Sequence, residues 1–505
     1  MSQTKVVPLA ELPARLASLR SGKRVVLCHG VFDLLHVGHV RHLEAARRLG
    51  DLLVVTVTPD QYVHKGPDRP AFADRLRAEM LAALDCVDLV AINRWPTAVE
   101  TIRLVQPDLY AKGSEYRDTP DVTGGIEIEK AAVEGVGGRL AFTDEITFSS
   151  SNLLNRYLPV FPEEARAFLH EFRRRYSAAD IEGWFDRIHD LHVLVVGETI
   201  IDEYQYCHAI GKSSKSAAVV AQAQSSERFA GGIVAVANHL ASFCRNVTVL
   251  TQLGDRRREE EFIRNELDPT VSPIFLTRRD SPTIVKRRFI ESYLFMPMFE
   301  LYEINDESLD PRDDAELCAV LAEQIGRHDL VVVVDYGHSM VTHQAAERLC
   351  ADSKFLALNA QANAGNRGYH RLSKYTRADY ICAAEHEMYL EARDWRGDLH
   401  PVVLDVASRL NCPEIVVTRG KKGALGYTDA GGFVEVPALA STVVDRVGAG
   451  DAFLAVTAPL ALVDAPMELL AFVGNVAGAE AVATVGHRSY IQRPRLVKHV
   501  RALLA

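Results

Sequence analysis

The stretch "GVFDLLHVGHVRHL", Gly30 to Leu43, holds three histidines, His36, His39 and His42. The first two flank Gly38, three residues apart, where an apolar strand gives way to a helix. Glycine lets a backbone approach a ligand closely. A helix start presents unpaired N–H groups and a partial positive charge, so anions bind there. His36 and His39 add two side-chain donors at the same place. Fixed donors of this kind suit a nucleoside triphosphate whose α-phosphate is under attack, because the transition state gathers charge on the phosphoryl oxygens. Zinc is the other chemistry open to paired imidazoles, but no third ligand is evident. His42 reads as a structural histidine.

A second candidate lies in "VVDRVGAGDAFLAV", Val443 to Val456. Gly448, Ala449 and Gly450 form a compact turn with a helix directly after it. Amides in such a turn cradle a transferring phosphoryl group. Asp451 stands where a carboxylate accepts the proton of an attacking hydroxyl. Alone, a Gly-Asp turn is a weak signal. "LNAQANAGNRGYHR", Leu358 to Arg371, lines up side-chain amides at Asn359, Gln361, Asn363 and Asn366. Two readings stand for it: ligands for sugar hydroxyls or a phosphate, or a turn satisfied by its own side chains. Lys286 and Arg287 in "TIVKRRFI" are candidates for a substrate phosphate. Charges alternating along a strand more often face water, and that reading is favoured.

The elements that must carry these groups follow from periodicity. From Arg24 to about Phe142, strand-like runs ("RVVLC", "LLVVTV", "VDLVAI", "DLYAKG") alternate with helical ones. This predicts a parallel sheet covered by helices on both faces, with phosphate ligands beyond the carboxyl ends of its strands. "EEARAFLHEFRRRY" and "ADIEGWFDRIHD" are charged, helical and suited to a connecting segment. "LHVLVVGETIID" then opens a second alternating section. The reading is a domain over 1–158, a helical linker over 159–188 and a domain over 189–505. The length of 505 residues fits more than one domain, and the 48% hydrophobic content fits large cores. A net charge of −10 argues against general nucleic-acid affinity. The eight cysteines show no paired spacing and read as reduced thiols of a cytosolic protein. The N-terminus lacks the apolar run of a signal peptide, and no stretch of about 18 uninterrupted apolar residues suggests a membrane span. The expectation is a soluble, cytoplasmic protein without nucleic-acid or membrane partners.

"GVFDLLHVGH" resembles the signature of the cytidylyltransferase-like nucleotidyltransferases, among them the glycerol-phosphate cytidylyltransferases and heptose-phosphate adenylyltransferases. The similarity runs through nearly the whole first domain and implies a Rossmann-like fold. It implies catalytic roles for His36, His39 and, from "KGPDRP", Lys65. It implies nucleotide contacts at Gly30, Phe32 and Gly38. "DRLRAEMLAAL" places Arg77 at the family's arginine position, and "PDLYAKGSEYRD" singles out Lys112. "TFSSSNLL" puts Ser149, Ser150 and Ser151 at a helix start where they would contact phosphate.

Most of 189–505 is similar to the ribokinase-like (PfkB) sugar kinases, an α/β fold with a small β lid. "VGETIID" matches their opening strand, which implies a sugar-hydroxyl role for Asp202. "AGGIVAVANHLASF" gives the double-glycine segment, Gly231 and Gly232. Asp451 would be the general base, with Gly448, Ala449 and Gly450 at the nucleotide. The chain departs from the pattern at Glu198, at Ala235 (an asparagine in the family), at Ala384 (another asparagine) and at His338 (a lysine in the heptose kinases). Glu387 is kept, which implies a water-mediated magnesium contact there.

The whole chain resembles the bifunctional heptose-phosphate kinase/adenylyltransferases with the two domains in reversed order. The implied activity is phosphorylation of a sugar followed by transfer of a nucleotidyl group to the sugar phosphate. The products are an NDP-sugar and pyrophosphate, with Mg2+ present and ATP or CTP as substrate. The alternative is a cytidylyltransferase for a sugar or polyol phosphate with a catalytically silent kinase-like domain. A homodimer through the lid strands is implied by the same resemblance.

Overall fold

A computed structural model describes residues 5–63, 70–113, 125–143, 161–293, 295–394, 397–440 and 442–504. Lys65, Ser149, Ser150 and Ser151 lie outside the described residues. The chain divides into two compact units, 1–162 with 501–505, and 163–500.

In the first unit the predicted alternation yields five parallel strands: β1 (Val25–Gly30), β2 (Leu52–Val57), β3 (Leu89–Ile92), β4 (Leu109–Gly113) and β5 (Arg139–Thr143). Their order is β3-β2-β1-β4-β5, and every neighbouring pair is parallel. β2 is buried at every position, as a strand covered on both faces must be. Separate apolar clusters on the two faces, one around Leu43 and Leu81 and the other around Ile102 and Val133, show the double cover. The strand order turns back at β1, so the crevice beyond β1 and β4 is where ligands of such sheets sit. The helix Val37–Arg48, which carries the histidines, starts there.

The second unit has a nine-stranded sheet, ordered β10-β9-β6-β13-β14-β15-β16-β17-β18. Its strands are β6 (His192–Gly197), β9 (Asn246–Gly254), β10 (Val271–Arg278), β13 (Leu330–Asp335), β14 (Leu356–Ala360), β15 (Tyr380–Ala384), β16 (Glu414–Thr418), β17 (Ala424–Thr428) and β18 (Gly432–Val436). A separate four-stranded sheet, β12-β11-β7-β8, is made by β7 (Thr199–Lys212), β8 (Val219–Gly232), β11 (Ile284–Glu291) and β12 (Met296–Glu303). The single strand expected from "LHVLVVGETIID" is therefore two, parted at Glu198. That residue leaves the ladder because its carboxylate accepts the N–H groups of Tyr336 and His338, both at 3.0 Å.

The helices Glu163–Arg175 and Ala178–Ile188, expected as a linker, are part of the second unit. Phe172 stacks on Phe472 with ring centroids 4.3 Å apart, and Phe185 meets Phe243 at 5.1 Å. The charge runs that suggested a solvated connector occupy the outer faces, while Ala165, Leu169 and Phe172 recur at helical spacing on the buried one. All eight cysteines are free thiols. No helix among the described residues is long and apolar enough to cross a membrane.

Candidate functional site

The first site is built at the carboxyl end of β1. Phe32 has a positive φ of 48°, and its ring lies over Gly30, where a Cβ would come within 3.2 Å of it. The space expected to admit a ligand at Gly30 is thus taken by Phe32. The Phe32 ring meets His39 edge-on at 5.5 Å, and His39 lies against His36 with centroids 4.0 Å apart. His36 is also the N-cap of its helix: the Gly38 N–H donates to His36 Nδ1 at 3.1 Å. This amide, expected to face phosphate, is spent on the cap. The bond makes Nδ1 an acceptor, so the neutral ring carries its proton on Nε2. The pairing expected from the spacing is real, and its tautomer is fixed by the helix it starts.

Arg77, expected at the nucleotide, is fully enclosed. It donates from Nε to Phe72 O at 2.8 Å, from Nη2 to Thr58 O at 2.9 Å and Asp60 Oδ1 at 2.5 Å, and from Nη1 to Val31 O. It ties together the loops that follow β1 and β2, a positioning role rather than a contact. Asp33 supports the same region by accepting the Ala71 N–H at 2.6 Å.

Lys112, at the end of β4, pairs with Glu129 at 2.9 Å. Glu129 also accepts the Tyr110 hydroxyl at 2.9 Å and the Ala98 N–H at 3.0 Å. Two further histidines surround this lysine. His29 is hydrogen-bonded to Thr56 and Thr58, at 2.9 and 3.2 Å, and His42 to Thr143 at 2.7 Å. Burial first, and the Lys112 charge second, push both histidines down to about 4. They stay neutral at neutral pH, in keeping with a structural His42. Sequence reasoning missed His29 and Glu129, whose only signal is their nearness in space to Lys112.

The second site lies around the helix Ala449–Leu462. Gly448 is its N-cap at φ 79°, and no side chain caps the first turn, so its amides are open to an anion. Asp451 is buried in that turn and accepts from Gln361 Nε2 at 2.8 Å. Burial raises its pKa from the ordinary aspartate value, while His487, Gln361 and Tyr336 oppose the rise. A carboxylate held in this way is suited to general-base work.

Asp202, on β7, is buried between Arg288 of β11, with which it is ion-paired, and His487, whose Nε2 is 3.5 Å away. Gly231 is required by this packing, since a Cβ there would collide with Asp202 Oδ2 at 2.0 Å. Gly232 has a φ of 58° and lies against Glu198 O, 2.6 Å from where its Cβ would stand. Lys286 is buried rather than facing water: it lies opposite Asp202 in the ladder and over the Tyr302 ring at 5.2 Å. Arg287 points the other way, onto Glu203 at 2.7 Å.

The amide cluster divides. Gln361 touches the candidate base. Asn359 donates to Cys382 O at 2.6 Å. Asn363 and Asn366 satisfy one another and Tyr336 O, at 2.8 to 3.1 Å, so for them the turn reading holds. Glu387, expected to reach magnesium through water, accepts the Ala384 N–H at 2.7 Å and the Ala362 N–H at 3.2 Å. Burial pushes its pKa up to about 7. Among the described residues there is no group of three or more His, Cys, Asp or Glu side chains placed to hold a metal ion.

The second unit thus has an α/β frame with a separate four-stranded sheet and an uncapped helix start over a buried carboxylate, and the first has a parallel sheet with paired histidines at a helix start. Residues 27–168 match the cytidylyltransferase-like family, and residues 190–493 match the pfkB family of carbohydrate kinases. The latter match takes in more than half of the chain, which belongs to the pfkB carbohydrate kinase family. The Bifunctional protein HldE of Syntrophotalea carbinolica is 44% identical over 142 residues, 28% of each chain. That of Methylobacillus flagellatus is 42% identical over 156 residues, 30% of this chain and 31% of the relative. The chain thus matches less than a third of the length of these relatives. Phosphofructokinase-2 from Escherichia coli in complex with potassium has the same fold as the second unit. It covers 62% of this chain and 99% of its own, with a TM-score of 0.50 and 14% identity.

Proposed function

We propose that the chain is a bifunctional enzyme that phosphorylates a sugar and then joins the sugar phosphate to a nucleotide, giving an ADP-heptose-like NDP-sugar and pyrophosphate. The adjoining His36–His39 pair at a helix start on the switch point of the first sheet carries the transferase half. Its ring N–H groups would donate to the phosphoryl oxygens as the sugar phosphate attacks the α-phosphorus and pyrophosphate leaves. Lys112, held by Glu129, is the further cation at that edge. Lys65 and the serines Ser149, Ser150 and Ser151 are assigned phosphate contacts by resemblance alone.

In the kinase half, Asp451 takes the proton of a sugar hydroxyl while its oxygen bonds to the γ-phosphorus of ATP and ADP departs. The Gly448–Gly450 turn receives the phosphoryl charge, and Asp202 orients the acceptor. Magnesium arrives as part of the nucleotide substrate, held by its phosphates. The lid sheet exposes Val219, Ile210, Phe299 and Met296, and a second copy of the chain is the partner proposed for them.

The test is incubation with a panel of sugars and sugar phosphates and each nucleoside triphosphate, with products read by mass spectrometry. An NDP-sugar made from ATP, and lost in His36→Ala and His39→Ala, is the expected outcome. Preference for CTP with a polyol phosphate would replace the adenylyl reading. A specific observation favours a silent kinase-like domain: Asp202 is already engaged by Arg288, and Ala384 has no side-chain donor or acceptor. Absence of sugar phosphorylation in both wild type and Asp451→Asn would establish that reading.

A further inference from the structure

His487 belongs to no motif legible in the sequence, yet it occupies the centre of the kinase site. It follows the helix Met467–Val482, and its ring is only 7% exposed. Two glycines make room for it. A Cβ on Gly231 would come within 3.0 Å of its Cδ2, and one on Gly448 within 2.5 Å of its Cε1. Gly231 belongs to the double-glycine segment and Gly448 caps the candidate phosphate turn. One imidazole thus reaches from the acceptor carboxylate to the turn that would hold the transferring phosphoryl group. Its Nε2 faces Asp202 Oδ2 at 3.5 Å.

The ionisable groups around the ring come from several elements. Asp202 stands on β7, Asp451 on the helix Ala449–Leu462 and His239 on the helix Ile233–Ala241. Lys286 and Arg288 of β11 bear on Asp202 from their own strand. Lys286 and Arg288 are held by the lid, whereas His487 comes from the body of the unit.

We propose that His487 is a positioning residue of the phosphoryl-transfer centre, holding Asp202 in place for the acceptor. The inference rests on the kinase half of the proposed function. The contact with Asp202 needs a donor at Nε2.

The experiment measures sugar phosphorylation by the full chain for wild type, His487→Ala and His487→Gln. NDP-sugar formation from supplied sugar 1-phosphate serves as the folding control. In His487→Ala, KM for the sugar rises about tenfold, a loss on the scale of one polar contact to a charged group, while KM for ATP stays within about twofold. His487→Gln keeps a donor, so it recovers the sugar KM. Wild-type sugar KM in His487→Ala would overturn the proposal, as would a fall in kcat with the sugar KM unchanged. A wild-type protein that phosphorylates no sugar would overturn the kinase reading and this inference together.

Discussion

His36 does two jobs with one ring, and they can be pulled apart. As an N-cap it accepts the Gly38 N–H, a bond that asparagine also makes. As a phosphate donor it needs an imidazole N–H. His36→Asn is therefore expected to keep thermal stability close to wild type while NDP-sugar formation falls by about two orders of magnitude, as when a transition-state donor is lost. His36→Ala loses both, with about 1 kcal/mol of stability. Melting curves and product assays on the two variants check this. Asp451→Asn is expected to remove sugar phosphorylation, since the amide cannot take the hydroxyl proton. These residues were legible because a motif carries them. His487, Glu129 and the clamp role of Arg77 were not, because each depends on partners tens to hundreds of residues away.

Among the elements, the loops after β1 and β2 are fixed by a single buried guanidinium. Removing it leaves three backbone carbonyls without this donor and takes the ion-pair partner from Asp60. Arg77→Ala is expected to destabilise the first unit by about 3 kcal/mol or more, read as an earlier first transition in urea. Arg77→Lys does not restore it, since an ammonium lacks the fork. The neutral histidines give the same unit an acid limit. The folded values of His29 and His42, about 4, lie below the ordinary value of 6.5. The stability they contribute is present above about pH 6.5 and is lost as pH falls toward 4. His29→Asn is expected to flatten the pH dependence of the first transition over that window. In the second unit, Phe172→Ala is expected to cost about 3 kcal/mol, a loss that a mere linker helix would not show. That segment was legible in the sequence as a helix, but its charge made it read as a connector, and what it packs against was not visible.

At the level of the whole molecule, two compact units with separate chemistries imply separable steps. With a sugar supplied, His36→Ala is expected to accumulate the sugar phosphate and stop there. With sugar 1-phosphate supplied, Asp451→Asn is expected to form the NDP-sugar at a rate near wild type. Mass spectrometry of the two reactions checks both. Failure of Asp451→Asn to make product from sugar 1-phosphate would mean that the halves depend on one another. Under the proposed function, one chain carrying both steps would keep them at equal stoichiometry.

Alternating runs of apolar residues and two glycine-bearing helix starts were set by the sequence itself, because strand and helix periods and local turns act over a few neighbouring residues. Tertiary structure decided which polar groups remain available. It spent the Gly38 amide on a cap, closed Arg77 and Glu387 into backbone contacts, and drew Lys286 inward beside Asp202. It also brought His487 between two glycine segments more than two hundred residues apart in the chain. The reason is that a buried polar group must find a partner, and the partner is fixed only when distant strands and helices are brought together.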